Sequence, residues 1–150
     1  MKKLLAALGI LVLLFPSRES VELGTLRPVE LVYIHREGDM LWIETDTEDR
    51  GRGRDLAAAL ENLKETSQGE IFLATADYLL LGPGTEDALE ELSDRIRPGA
   101  QAALAHGEQD PQLAAGWLRT HPSGCTLRQM GERQPPVITV TEGRYGFETK

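Results

Sequence analysis

The tightest constraint in this chain is the run Tyr78-Leu79-Leu80-Leu81. Four apolar side chains in a row cannot alternate between core and water. A strand here is therefore buried on both faces. Gly82-Pro83-Gly84 stops it. Any fold this chain adopts must cover that strand from two sides.

The surrounding segments supply the cover. Val29 to His35 (VELVYIH) is rich in β-branched and aromatic residues, Glu37-Gly38-Asp39 reads as a turn, and Met40 to Thr45 resumes strand character. The pair predicts a β-hairpin. Asp46 to Arg54 reads as a charged, glycine-containing loop. Asp55 to Thr66 carries Leu56, Ala59, Leu60 and Leu63 at the spacing of one buried helical stripe, ended by Ser67-Gln68-Gly69. Ile71 to Ala74 reads as a strand or strand end.

After the constraining strand, Thr85 is the expected N-cap of a helix with Ala88, Leu89, Leu92 and Ile96 inside. Pro98-Gly99 ends it. Ala100 to Ala105 is expected as a strand. Asp110 caps a helix that opens with Pro111 and turns Leu113, Ala114, Trp117 and Leu118 inward. Residues 125–133 read as a short helix. Val137 to Thr141 reads as an edge strand, and Arg144 to Glu148 completes a terminal hairpin.

The order is β-β-α-β-β-α-β-α-(α)-β-β, with hairpins at both ends. It predicts an α+β (mixed α/β) fold: a mixed β-sheet with three or four helices packed on it. The length of 150 residues suits one such domain, expected over 21–150.

Residues 1–20 read as a signal peptide or N-terminal membrane segment. Lys2 and Lys3 precede a run from Leu4 to Phe15 without a polar side chain, broken at Pro16 to Ser20. As a helix the run reaches about 18 Å, short of the roughly 30 Å bilayer core. A secretory signal is expected rather than a spanning anchor. No A-x-A-like pair follows Phe15, which leaves open an uncleaved N-terminus and membrane association through residues 2–16. Export to the extracytoplasmic envelope is the expectation.

The formal charge is −8. An acidic domain repels nucleic-acid phosphate, so no nucleic-acid partner is expected. Cys125 is the one cysteine. It can form neither an internal disulfide nor a cysteine-rich zinc site.

Candidate chemistry is sparse. Gly51-Arg52-Gly53-Arg54 opens a helix and is a candidate for an anion, but it lacks the Lys-Ser/Thr end of a P-loop and a third glycine. Gly82-Pro83-Gly84 before Thr85 reads as a stop and cap. His35, His106 and His121 show no helical metal spacing, and each is expected at an element end. Cys125 lies four residues after His121, a pairing that can activate a thiolate, although a half-buried inert thiol is the simpler expectation. Glu86, Glu90, Glu91 and Asp94 read as a solvated helix face. No serine stands in a G-x-S-x-G elbow. No catalytic, cofactor-binding or metal-binding residue is assigned, and no cofactor is expected.

Leu31 to Arg97 resembles the N-terminal domain of the Ger(x)C family, the membrane-anchored C-subunits of spore germinant receptors in endospore-forming Firmicutes. The resemblance rests on four features. An export segment leads into the hairpin Val29 to Thr45. A glycine-containing loop opens D-L-A-A-A-L-E-N-L at Asp55 to Leu63. E-I-F-L-A-T-A-D-Y-L-L-L-G follows at Glu70 to Gly82, and then a helix at Thr85 to Ile96. Thr126-Leu127-Arg128 and the strands from Pro136 to Phe147 are compatible with the end of that domain. The family's lipobox cysteine and its later domains have no counterpart here. The resemblance implies a stand-alone, divergent relative of one domain: a non-enzymatic envelope protein acting through protein contact, with envelope or membrane proteins as partners. Two other classes stay open on the residues: a small exported hydrolase using Cys125, and a small carrier of an anionic ligand.

Overall fold

A computed structural model describes residues 26–148. The expected signal segment at 1–20 lies outside them. Among the described residues there are nine strands and three α-helices: β1 (Leu26–Pro28), β2 (Leu31–Glu37), β3 (Met40–Thr45), β4 (Arg50–Gly53), α1 (Leu56–Thr66), β5 (Glu70–Phe72), β6 (Tyr78–Leu81), α2 (Leu89–Ser93), β7 (Gln101–His106), α3 (Pro111–Leu118), β8 (Val137–Thr141) and β9 (Arg144–Phe147). Seven strands make one mixed sheet in the order β4-β3-β2-β6-β7-β8-β9. Strands β2, β6, β7 and β8 run parallel in its centre, and antiparallel hairpins close both ends. The fold is α+β, as expected. The short strands β1 and β5 pair parallel in a separate ribbon.

The strand β6 is buried along its whole length. Its side chains alternate between two cores, as the two-residue strand period requires. Leu79 and Leu81 join Val32, Ile34, Leu60 and Leu63 beneath α1 and α2. Tyr78 and Leu80 join Leu31, Tyr33, Ala114 and Leu118 beneath α3. Three layers result, with the sheet in the middle. Among the described residues, no helix is long and apolar enough to cross a membrane.

Several local expectations are corrected. Asp46 to Arg54 is not all loop: Arg50–Gly53 forms β4, the strand at one sheet edge. Its glycines are needed for contact. A Cβ on Gly51 would meet Ala59 O at 2.2 Å and Leu63 Cβ at 2.6 Å, and one on Gly53 would meet Ala59 N at 2.4 Å. Helix α1 therefore packs directly on the strand backbone. Its side chains also cap the edge, because Asn62 Oδ1 accepts from Arg52 N at 3.0 Å and Thr66 Oγ1 donates to Arg50 O at 2.8 Å. Polar side chains on an otherwise bare edge block strand addition there.

The helix expected from Thr85 is shorter: a 3₁₀ turn over Glu86–Ala88 leads into the five residues of α2. Thr85 does not cap it. Its buried hydroxyl donates to Gly82 O at 2.7 Å and ties the turn back on itself. Residues 125–133 contain only the 3₁₀ turn Leu127–Gln129, held by a Thr126/Gln129 capping box. Strand β8 is interior, because β9 takes the edge. Leu113 is not inside α3 but 63% exposed, and Ala115 is buried in its place. Asp110 caps α3 as expected, and Asp55 caps α1.

Candidate functional site

Helix α3 is eight residues long and covers only part of its sheet face. Beyond its N-terminus that face is open, and a groove of about 780 Å³ runs over it. Strands β2 and β3 form the floor. The loop from Gly107 into α3 makes one wall, and the β8–β9 hairpin makes another.

Register builds the floor. In the hairpin, His35 lies opposite Trp42 and Tyr33 opposite Glu44. Two-residue alternation puts all four on the same face. His35 stacks on Tyr33 at 4.7 Å between ring centroids, with planes 18° apart. It also lies nearly parallel to Trp42, at 6.3 Å and 8°. Its Nε2 is 3.1 Å from Glu44 Oε1, and both side chains are 14% exposed. Strand β4 adds two cations from the edge: Arg50 Nε lies 3.5 Å from Glu44 Oε2, and Arg52 sits 5.6 Å over the Trp42 ring.

These contacts set the electrostatics. The hydrogen bond from His35 holds the Glu44 carboxyl below its ordinary pKa, against the opposing effect of burial. Tyr33 is pushed up to about 12, first by burial and then by the charges of Glu44, Glu108 and Glu37. Its hydroxyl donates to Gly107 O at 3.3 Å. Tyr145, from β9, likewise donates to Asp110 O at 3.2 Å, which ties the hairpin wall to the helix wall. Burial raises its pKa as well.

Gln109 is the odd member. It is 5% exposed, and its Nε2 donates to His106 O and Gly107 O at 3.0 and 3.3 Å. Those bonds fix the amide orientation. Its Oε1 is buried and has no donor among the described residues, an arrangement that costs about 1–3 kcal/mol.

The residues singled out from sequence are dispersed. Cys125 is 4% exposed, with Sγ directed at Thr126 O 3.7 Å away. His121 stacks on Trp117 at 4.5 Å, and its Nδ1 faces Thr120 Oγ1 and Trp117 O. The structure does not join the two as a thiolate pair. His106, at the end of β7, meets Glu148 at 2.8 Å. His35 is not at an element end but inside β2, within the groove.

The Gly51–Arg54 segment does not cradle an anion with backbone amides. Gly51 and Gly53 face α1, and Asp55 already caps that helix through Ala58 N at 2.8 Å. Of the acidic residues on and beside α2, Glu86, Glu90 and Asp94 are exposed, and Glu91 pairs with Arg95. Among the described residues, no cluster of three His, Cys, Asp or Glu side chains is arranged to hold a metal ion.

Sequence reasoning did not find Tyr33, Trp42, Glu44 or Gln109. The signal for the first three was present as the alternation within the hairpin, which needed the register to become a site. Gln109 carried none, because its burial depends on where the loop after β7 folds. Comparison of the chain with known protein families, curated proteins and solved structures finds no match.

Proposed function

We propose that this is a non-enzymatic protein of the cell envelope that works by protein contact, and that the groove over β2 and β3 is its contact surface. The observation that carries this reading is the half-buried pair His35 and Trp42, which lie nearly parallel on the part of the sheet beyond the end of α3. Rigid aromatic side chains give large contact area for little loss of conformational entropy, and they are enriched at protein interfaces. The likeness of Leu31 to Arg97 to the Ger(x)C N-terminal domain supports the same reading. The apolar run after Lys2 and Lys3 supports export.

The test is a photo-crosslinking amino acid placed in the full-length chain at Val140, an exposed position on the groove wall, and separately at Glu90 on α2. A discrete adduct with one envelope protein is expected from Val140 and not from Glu90. Equal adducts from both positions, or none from Val140, overturn the assignment of the groove. Fractionation that leaves the protein in the cytoplasm overturns the envelope assignment.

A further inference from the structure

We infer that the free edge of β9 pairs with β9 of a second copy of this chain, antiparallel about a two-fold axis at Gly146. The inference goes beyond the groove reading and does not rest on it.

The two edges of the main sheet differ. At the β4 edge, Asn62 and Thr66 occupy backbone groups of Arg52 and Arg50. The β9 edge has no such cover among the described residues. It carries no proline and no bulge, since Ile138 to Thr141 meet Phe147 to Arg144 one for one. Such devices blunt native edges, and an edge without them is a template for another strand.

Hydrogen-bond parity says which groups are offered. The two-residue turn Glu142-Gly143 has φ of 51° and 73°, the geometry of a tight hairpin, and Glu148 N donates to Val137 O at 2.8 Å. Antiparallel pairs alternate, so Arg144, Gly146 and Glu148 turn their backbone groups toward β8. Tyr145 and Phe147 turn theirs outward, where no described residue bonds them.

Those two residues fix the register of the partner. With Gly146 opposite Gly146 of the second copy, Tyr145 and Phe147 exchange both backbone bonds with Phe147 and Tyr145 across the axis. The same register sets Arg144 opposite Glu148 and Glu148 opposite Arg144, so unlike charges meet twice. A slip of two residues either way loses this, because Gly146 then faces Arg144 or Glu148. The run Arg-Tyr-Gly-Phe-Glu is thus complementary to itself reversed, which selects a second copy over an unrelated strand.

The side chains are placed for it. Arg144 is exposed and has no partner among the described residues. Glu148 gives Oε1 to His106 Nδ1 at 2.8 Å and leaves Oε2 open. Tyr145 and Phe147 lie half-buried on the opposite face, beside Trp117. Their open sides would meet as cross-strand aromatic pairs. At the axis, Cα atoms of a non-hydrogen-bonded pair approach to about 4.5 Å, and a Cβ on Gly146 meets nothing within 4 Å in its own chain.

The experiment is disulfide mapping in the full chain. Gly146→Cys is expected to oxidise rapidly to a homodimer, since a separation of about 4.5 Å suits a disulfide. Arg144→Cys is expected not to bridge to itself, because its copy lies about 13 Å away along the strand. Mixed with Glu148→Cys, it is expected to form the heterodimer. The unsubstituted chain, with Cys125 only 4% exposed, is expected to stay unlinked. In the Gly146→Cys background, Arg144→Glu sets like charges opposite each other twice and is expected to slow dimer formation about tenfold. Adding Glu148→Arg reverses the pair and is expected to restore it. The inference is overturned if Gly146→Cys oxidises no faster than Arg144→Cys, if the charge reversal does not rescue, or if Gly146→Cys links to a different protein in the producing cells in place of itself.

Discussion

The two faces of the central sheet are built by the same strands and end in opposite states. Under α1 and α2 the face is dry: Leu41, Ile43, Leu79 and Leu92 are fully buried, and the glycines of β4 let α1 sit on the strand backbone. Under α3 the same strands bury Leu31 and Tyr33, but the helix stops short of His35, Trp42 and Glu44. Strand alternation makes this possible, because successive residues of β2 and β3 answer to different neighbours. The lesson is a division of labour. One face holds the fold together, and the other is left half-covered, with polar groups that bond one another.

That contrast gives a graded series of tests. The largest effect belongs to the dry face. Leu79→Ala removes a fully buried side chain and is expected to cost about 2–5 kcal/mol by denaturant unfolding. A loss below about 1 kcal/mol breaks the claim that this face carries the stability.

Gly51→Ala comes next. The added methyl lands on α1 backbone, and overpacking of this kind costs about 1–3 kcal/mol. A neutral result in thermal unfolding shows that α1 is free to move off the strand.

Asp55→Ala removes the α1 cap and is expected to cost about 1 kcal/mol. Asp55→Asn is expected to recover most of that loss.

The smallest effects lie on the groove face and appear as pH dependence. Glu44 has a depressed folded pKa, so its contribution is full above the ordinary carboxylate value and is lost as pH falls through the folded one. Tyr33 has a raised pKa, so its contribution is full below the unfolded value of 10.0 and is lost as pH rises toward about 12. Thermal unfolding across pH is expected to show both limbs. Glu44→Gln is expected to flatten the acid limb and Tyr33→Phe the alkaline one. A Glu44→Gln variant with an unchanged acid limb removes His35–Glu44 as a stabilising pair.

Much of the architecture was legible before the structure. The hairpin at Val29 to Thr45, the α1 stripe and the Asp110 cap are written in local patterns, and local sterics and hydrogen bonding decide them. The errors fall where a distant partner decides. Arg50–Gly53 is extended because Leu41 to Glu44 of β3 offer a ladder and α1 needs a flat surface, neither of which lies within the segment. Leu113 sits outside because α3 meets the sheet through Ala114, Ala115 and Leu118. The Thr85 hydroxyl turns to Gly82 O once Gly82-Pro83-Gly84 closes on it.

By itself, the sequence determined that this chain forms a mixed sheet with helices, that Tyr78 to Leu81 is sealed on both sides, and that the surface is acidic. Periodicity and composition are properties of neighbouring residues, and they survive without a fold. Only the tertiary structure decided that His35 meets Glu44, that Cys125 and His121 point to different surroundings, and that Gln109 keeps an acceptor with no donor. Those facts depend on strand register and on where one short helix ends, and both are set by contacts between residues far apart in the chain.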